Sequence, residues 1–114
     1  MVFNCHCLKC KLSHGAAFAT QVIANKQSLT YLKGEKLVKE YHSGGALRAF
    51  CSSCGSRLMN YGPEGVNYLS VALTVIKDYK KFKLTGDCYT GRALNFVQLC
   101  PNSAKFDKLP PGIS

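Results

Sequence analysis

Three cysteines stand within six residues near the start of the chain, Cys5, Cys7 and Cys10 in the stretch NCHCLKC. Two more form a C-x-x-C-G turn at Cys51, Cys54 and Gly55. Cysteines at these spacings are a poor packing solution and a good set of metal ligands. In C-x-x-C-G both thiolates face one ion, backbone amides donate to the sulfurs, and the glycine takes the left-handed conformation. Zinc suits thiolates, accepts tetrahedral geometry and stays out of redox chemistry, so Zn2+ is the expected cofactor. A closed structural zinc takes four protein ligands, whereas a catalytic zinc usually takes three and leaves one position for water or substrate. The first cluster supplies three thiolates from one short loop, which makes it the candidate for chemistry. A thiol entering the fourth position would shed its proton and become a nucleophile. His6, between two ligand cysteines, is expected to point away from them. His14, four residues past Cys10, is a better candidate for contact with substrate or with the ligands. For both clusters the bland alternative is free buried cysteine; for Cys88 and Cys100, which stand alone, small apolar filler is the preferred reading.

The elements that must position these residues are short. Gly, Pro and Asn divide the 114-residue chain into pieces too brief for long helices. GAAFATQVIA (Gly15 to Ala24) reads as a strand. SLTYLKG and KLVKEYHS, with a turn at Gly34 and Glu35, alternate Leu29, Tyr31, Leu37 and Tyr41 against polar neighbours, as half-buried hairpin strands do. GGALRAFC leads into the second cysteine pair, VNYLSVALTV is the strongest strand candidate, and IKDYKKF suits a helical turn. GDCYTGRALNFVQL should hold one more strand, interrupted near Gly91. Paired prolines leave the tail KLPPGIS extended or loose. Frequent strands without a helical period predict a small, mainly β fold of antiparallel sheets. The absence of a linker or repeat predicts one domain over residues 1–114.

Composition narrows the partners. Fifteen Lys and Arg face six Asp and Glu, a formal charge of +9, which favours anionic partners: nucleic acid, acidic membranes or carboxylate-bearing metabolites. The basic residues are scattered rather than run together, as on a solvated surface. VNYLSVALTVI is too short and too polar to span a bilayer. The start, MVFNCHC, lacks the basic region and apolar run of a signal peptide. An intracellular, cytoplasmic location is therefore expected, and reducing conditions there argue against disulfides.

NCHCLKCKLSHGAAFATQV, followed some way on by FCSSCGSRL, resembles the glutathione-dependent formaldehyde-activating enzymes and the related centromere protein V domain. The resemblance runs from Asn4 to the LP at Leu109, with GAAFA after the first cluster and FCxxCG in the second as its most specific features. It implies a small zinc-containing β-tent fold and a carbon–sulfur lyase activity, the condensation of formaldehyde with glutathione to S-hydroxymethylglutathione. It implies that Cys5, Cys7 and Cys10 hold the catalytic zinc. Cys51 and Cys54 would hold a structural zinc with a further C-x-C pair from an N-terminal strand. Here the chain starts four residues before the first cluster, and that pair is missing. The second site is thus expected to be empty, to share a zinc with the first cluster, or to be completed by Cys88, Cys100 or another chain. A missing strand would also open a sheet edge, for which a homodimer is the expected cover.

On this resemblance the partner is a thiol or thiol adduct such as glutathione. Three thiolates and a substrate thiolate would give the zinc centre a charge of −2. Lys9 and Lys11, beside the first cluster in sequence, and Arg48, three residues before Cys51, are the candidates to offset that charge and attract the glutathione carboxylates. Tyr41, His14 and His42 can carry protons, though each is read first as a surface or packing residue. A different class also fits the basic charge: a non-catalytic zinc module binding nucleic acid or protein. No stacking motif, helix-turn-helix or finger spacing supports nucleic acid. A third reading keeps the carbon–sulfur chemistry and changes the substrate.

Overall fold

The computed structural model describes residues 1–110. Its framework is one eight-stranded sheet: β1 (Val2–Cys5), β2 (Ala19–Asn25), β3 (Val38–Ser43), β4 (Ala46–Cys51), β5 (Arg57–Tyr61), β6 (Tyr68–Ala72), β7 (Gly86–Cys88) and β8 (Ala104–Phe106). The strand order is β3-β4-β5-β6-β2-β1-β7-β8. One α-helix, α1 (Leu8–His14), and five single 3-10 turns complete the described elements. The mainly β expectation holds. Five of the seven strand pairings are antiparallel; β1–β7 and β7–β8 are parallel.

Strand alternation sorts the residues onto two faces. Ala49, Met59, Tyr61 and Leu69 form a core on one side, covered in part by Leu29 and Tyr31. Phe3, Cys5, Ala19 and Cys88 form a second core with Cys10 of α1. The β3–β4 hairpin turns at Gly44 and Gly45, whose φ values of 52° and 87° suit a type I′ turn and need glycine.

Several expectations are corrected. SLTYLKG is not a strand: Lys26–Ser28 is a 3-10 turn, and the chain then bends toward Gly34, laying Leu29 and Tyr31 on the core without ladder bonds. The hairpin pairs β3 with β4 instead. On edge strand β3, Leu37 precedes the strand at 48% exposure and Tyr41 is 62% exposed, so the alternation there buries neither. The strand expected in GDCYTGRALNFVQL shrinks to the three residues of β7, before a turn at Thr90–Arg92. β1 is paired on both sides, by β2 and β7, and the open edges of the sheet are β3 and β8. Of the tail expected to be extended, residues 111–114 lie outside the described residues, while Pro110 is buried. No helix among the described residues is long and apolar enough to cross a membrane.

Candidate metal centre and its cleft

The first cluster is built by a strand-to-helix junction rather than by a loop. Cys5 ends β1, Cys7 is the N-cap of α1, and Cys10 lies in its first turn. The Cys7 sulfur accepts from the Cys10 amide at 3.3 Å, the work that a Ser or Asp side chain usually does at this position. Gly15, at φ 61°, closes the helix, and the Ala16 amide returns to the Lys11 carbonyl at 3.2 Å. With Cys7 and Cys10 three apart on the helix and Cys5 facing them from the strand, the three sulfurs lie within 4.8 Å of one another. Two sulfurs bound about 2.3 Å from one tetrahedral ion stand about 3.8 Å apart, so the set fits a thiolate-bound metal with small shifts.

Three thiols this close share protons unevenly. Cys7 is held far below the ordinary thiol range, first by the hydrogen bond from Cys10, then by that from Cys5, with Arg48 adding its charge. Cys10 is pushed up by its hydrogen bonds to Cys5 and Cys7 and by burial. Cys5 is also raised: the Cys10 hydrogen bond lowers it, but Cys7, Cys88 and burial outweigh that. The negative charge therefore gathers at Cys7, the most open of the three.

His6, between two ligand positions, does turn away. It is fully buried on the opposite side, with Nε2 at 2.9 Å from Oδ1 of buried Asp87 and its ring 5.2 Å from that of Phe18. This pair ties the junction to β7, and Ser103 Oγ donates to the other Asp87 oxygen at 3.2 Å. The next residue on β7, Cys88, is aligned with Cys5 and buried against it.

A cleft of about 750 Å3 opens over the cluster. Cys5, Cys7, Cys10 and Cys88 line it, and so do Lys9, Arg48 and Arg92, with no Asp or Glu among the described residues. Gln21, Asn60, Tyr68 and Tyr89 add polar groups to an otherwise apolar wall. Tyr89 sits at φ 54°, a left-handed conformation that costs a non-glycine residue energy and is typical of places where a site dictates the backbone. Burial, chiefly, holds the Tyr68 and Tyr89 hydroxyls above their usual values, so both are protonated near neutrality.

The structure distributes the other sequence candidates unevenly. Lys9 reaches across to the β3–β4 turn, where any side chain at Gly44 would meet its Nζ. Lys11 is not in the cleft; its Nζ donates to the Arg92 carbonyl at 2.5 Å and so ties α1 to the turn at Thr90–Arg92. Arg48 is buried, at 7% exposure, and donates to the Cys10 sulfur at 3.7 Å and to Ser13 Oγ at 3.4 Å. His14 is half-buried and stands outside the cleft; burial, then Arg57 and Arg48, lower its pKa. Tyr41 and His42 are exposed on β3 and take no part in the cleft.

Cys51 and Cys54 form the tight turn expected of C-x-x-C-G. The Gly55 amide bonds the Cys51 carbonyl at 2.7 Å, and Gly55 takes φ 79°. Among the described residues no third His, Cys, Asp or Glu joins them, and they do not share a group with the first cluster. Cys88 is spent in the core with Phe3, Cys5 and Ala19, and Cys100 is exposed rather than a filler.

Sequence reasoning missed Asp87, Tyr68, Tyr89 and Arg57. Only the small-residue strand GDC hinted at a close approach, which Gly86 makes: a Cβ there would stand 2.8 Å from the Ala104 carbonyl.

A mainly β scaffold that converges three cysteines on the floor of a cationic cleft defines a class, the small β proteins equipped to hold a metal ion through thiolates. The family model described as glutathione-dependent formaldehyde-activating enzyme matches residues 1–92, and the chain belongs to that family. A crystal structure of a Rhodobacter sphaeroides protein has a similar fold, with a TM-score of 0.57 at 18% identity, covering 73% of this chain and 77% of that one. No curated protein matches the sequence significantly.

Proposed function

We propose that the chain, acting as one domain, holds Zn2+ through Cys5, Cys7 and Cys10 and makes or breaks the carbon–sulfur bond of a thiol adduct. Glutathione with formaldehyde is the leading pair. The observation that carries this reading is three convergent thiols on the floor of a cleft lined, among the described residues, by three cations and no Asp or Glu. Bound there, zinc would supply Lewis acidity and would lower the pKa of an incoming thiol.

The chain's own residues then have distinct tasks. Cys5, Cys7 and Cys10 give up their protons to become ligands. Lys9 and Arg92 lie on the cleft wall and suit the carboxylates of a peptide-like thiol. In the forward direction a sulfur–carbon bond forms, the carbonyl π bond opens, and the thiol proton ends on the new hydroxyl oxygen. Tyr68 and Tyr89 keep their hydroxyl protons near neutrality and suit donation to that oxygen. Apolar wall residues such as Phe3, Ile23 and Val66 limit water, which would compete for the aldehyde.

The test is to follow exchange between formaldehyde and S-hydroxymethylglutathione by NMR. Wild type should accelerate it, and Cys10→Ser should abolish the acceleration. If the two exchange equally and no thiol perturbs the metal centre, the lyase reading fails.

A further inference from the structure

Two guanidinium groups near the cysteine cluster, Arg48 on the cleft lining and Arg57 on the neighbouring strand, stand without an anion. Among the described residues neither Arg48 nor Arg57 has a carboxylate within ion-pair distance, the only ion pairs there being those of Asp87. Arg48 Nε, Arg57 Nε and Arg57 Nη2 are buried and have no hydrogen-bond partner. Arg48 is buried and Arg57 half-buried, and a buried cation without a counter-charge is costly for a fold to hold.

An irregularity in the sheet creates this pair. The β4–β5 ladder aligns Ala49 with Met59 but Phe50 with Arg57, a slip of one residue. Regular pairing would set Arg57 opposite Cys51, on the other face. The slip puts it opposite Phe50, two residues from Arg48 and on the same side. Its guanidinium lies over the Phe50 ring at 6.0 Å. Arg57 is held below its usual value by burial and then by the charge of Arg48, while Cys10 opposes the shift, so the two cations and the thiol feel one another. Arg48 makes the direct contact, its Nη1 donating to the Cys10 sulfur.

The charge count closes if the cluster is the missing anion. Three thiolates on a divalent ion carry −1, and a substrate thiolate added to them gives −2, against two guanidinium charges. We infer that Arg48 and Arg57 together are the counter-charge of the cysteine-bound metal centre, Arg48 through its N–H···S contact with Cys10 and Arg57 through its field, so that the second positive charge is balanced when a substrate sulfur joins. The inference rests on the zinc reading proposed above. Both arginines are positioning residues: they act on the sulfurs through charge and orientation.

Cobalt(II) serves as the spectroscopic probe, in wild type, Arg48→Met, Arg48→Lys and Arg57→Met. Three quantities are read: cobalt affinity by chelator competition, the thiolate-to-cobalt charge-transfer band with its response to glutathione, and the melting temperature of the metal-stripped protein. Arg48→Met should weaken cobalt binding about tenfold or more, as loss of a partner to a ligand commonly does, and should move the charge-transfer band. Arg48→Lys should recover most of the affinity. Arg57→Met should change cobalt affinity little and weaken glutathione addition about tenfold, as the loss of one of two outer charges on the ligand set would. The stripped Met variants should melt no lower than wild type, because an uncompensated charge has gone. Stripped variants that melt lower while cobalt affinity and band stay unchanged would make the arginines structural and overturn the inference. If wild type binds cobalt but glutathione leaves its spectrum untouched, the substrate half of the count is wrong and the inference fails while the metal site stands. If wild type takes no cobalt, the zinc reading fails and this one with it.

Discussion

The two cysteine motifs look equally capable in sequence and are built to opposite standards in the fold. Cys5, Cys7 and Cys10 straddle a strand and a helix, and each element holds the other: His6 pairs with Asp87 beneath, Lys11 grips Arg92, and Arg48 touches Cys10. Cys51 and Cys54 occupy a hairpin turn held by backbone bonds, with Cys54 exposed and no third donor near among the described residues. The difference shows that spacing along the chain brings two thiols together, whereas a third requires a second element at a fixed distance. It also shows where the fold invests its buried polar groups, which lie around the first motif.

Metal content should show the largest contrast. Cys7→Ser and Cys10→Ser are each expected to lose about one metal equivalent per chain, since two thiolates make a poor site. The double variant Cys51→Ser/Cys54→Ser should keep the metal it had. Elemental analysis of the purified variants measures both. Retention in Cys10→Ser would remove the assignment of the first cluster, and loss in the double variant would mean that the turn holds a centre of its own.

Stability should follow the same division on a smaller scale. Asp87→Ala leaves His6, at 0% exposure, without its partner and should cost about 3 kcal/mol, the usual loss when one member of a buried pair is removed. Ser52→Ala in the exposed C-x-x-C turn should stay within about 0.5 kcal/mol, because only its backbone amide bonds, to the Leu37 carbonyl. Urea unfolding compares them. Similar midpoints for the two variants would mean that the His6–Asp87 contact does not anchor the junction.

The sequence made the local parts of this legible and hid the distant ones. The three-cysteine spacing, the left-handed Gly55 and the strand at VNYLSVALTV were visible because each depends on neighbours within a turn or on period-two alternation. Helix α1 was hidden because seven residues carry too little periodicity, and it starts on a cysteine where a hydroxyl or carboxylate cap would have marked it. Leu29 and Tyr31 alternate like a strand, yet they are buried by a bent segment, for alternation reports burial and not ladder bonds. Asp87 and Cys88 lie 81 and 83 positions from His6 and Cys5, and only the parallel β1–β7 pairing brings them together. No spacing rule reaches that far. Arg57 joins Arg48 through a one-residue slip, which periodicity would place on the wrong face.

The smallest expected effect concerns how the exposed motif responds to pH. Cys54 is held below the ordinary thiol value of 9.0, first by the Ser56 side chain, with Ser56 Oγ 3.2 Å from its sulfur, then by the Ser56 backbone and Cys51. A lowered pKa enlarges the thiolate fraction at every pH below 9.0, and the thiolate is the species that alkylates. The rate for an unshifted thiol falls about tenfold for each pH unit in that range. Cys54 should therefore label faster than an unshifted thiol below pH 9.0 and keep more of its rate as the pH falls, and Ser56→Ala should remove that excess. Peptide mapping after iodoacetamide pulses gives the rate for each cysteine. In zinc-loaded protein Cys7 should be protected at every pH, because a ligand thiolate has its lone pair engaged, while Cys54 should label as before. Parallel protection of Cys54 and Cys7 by zinc would erase the distinction between the motifs, and an unchanged rate in Ser56→Ala would show that the serine does not hold the thiolate.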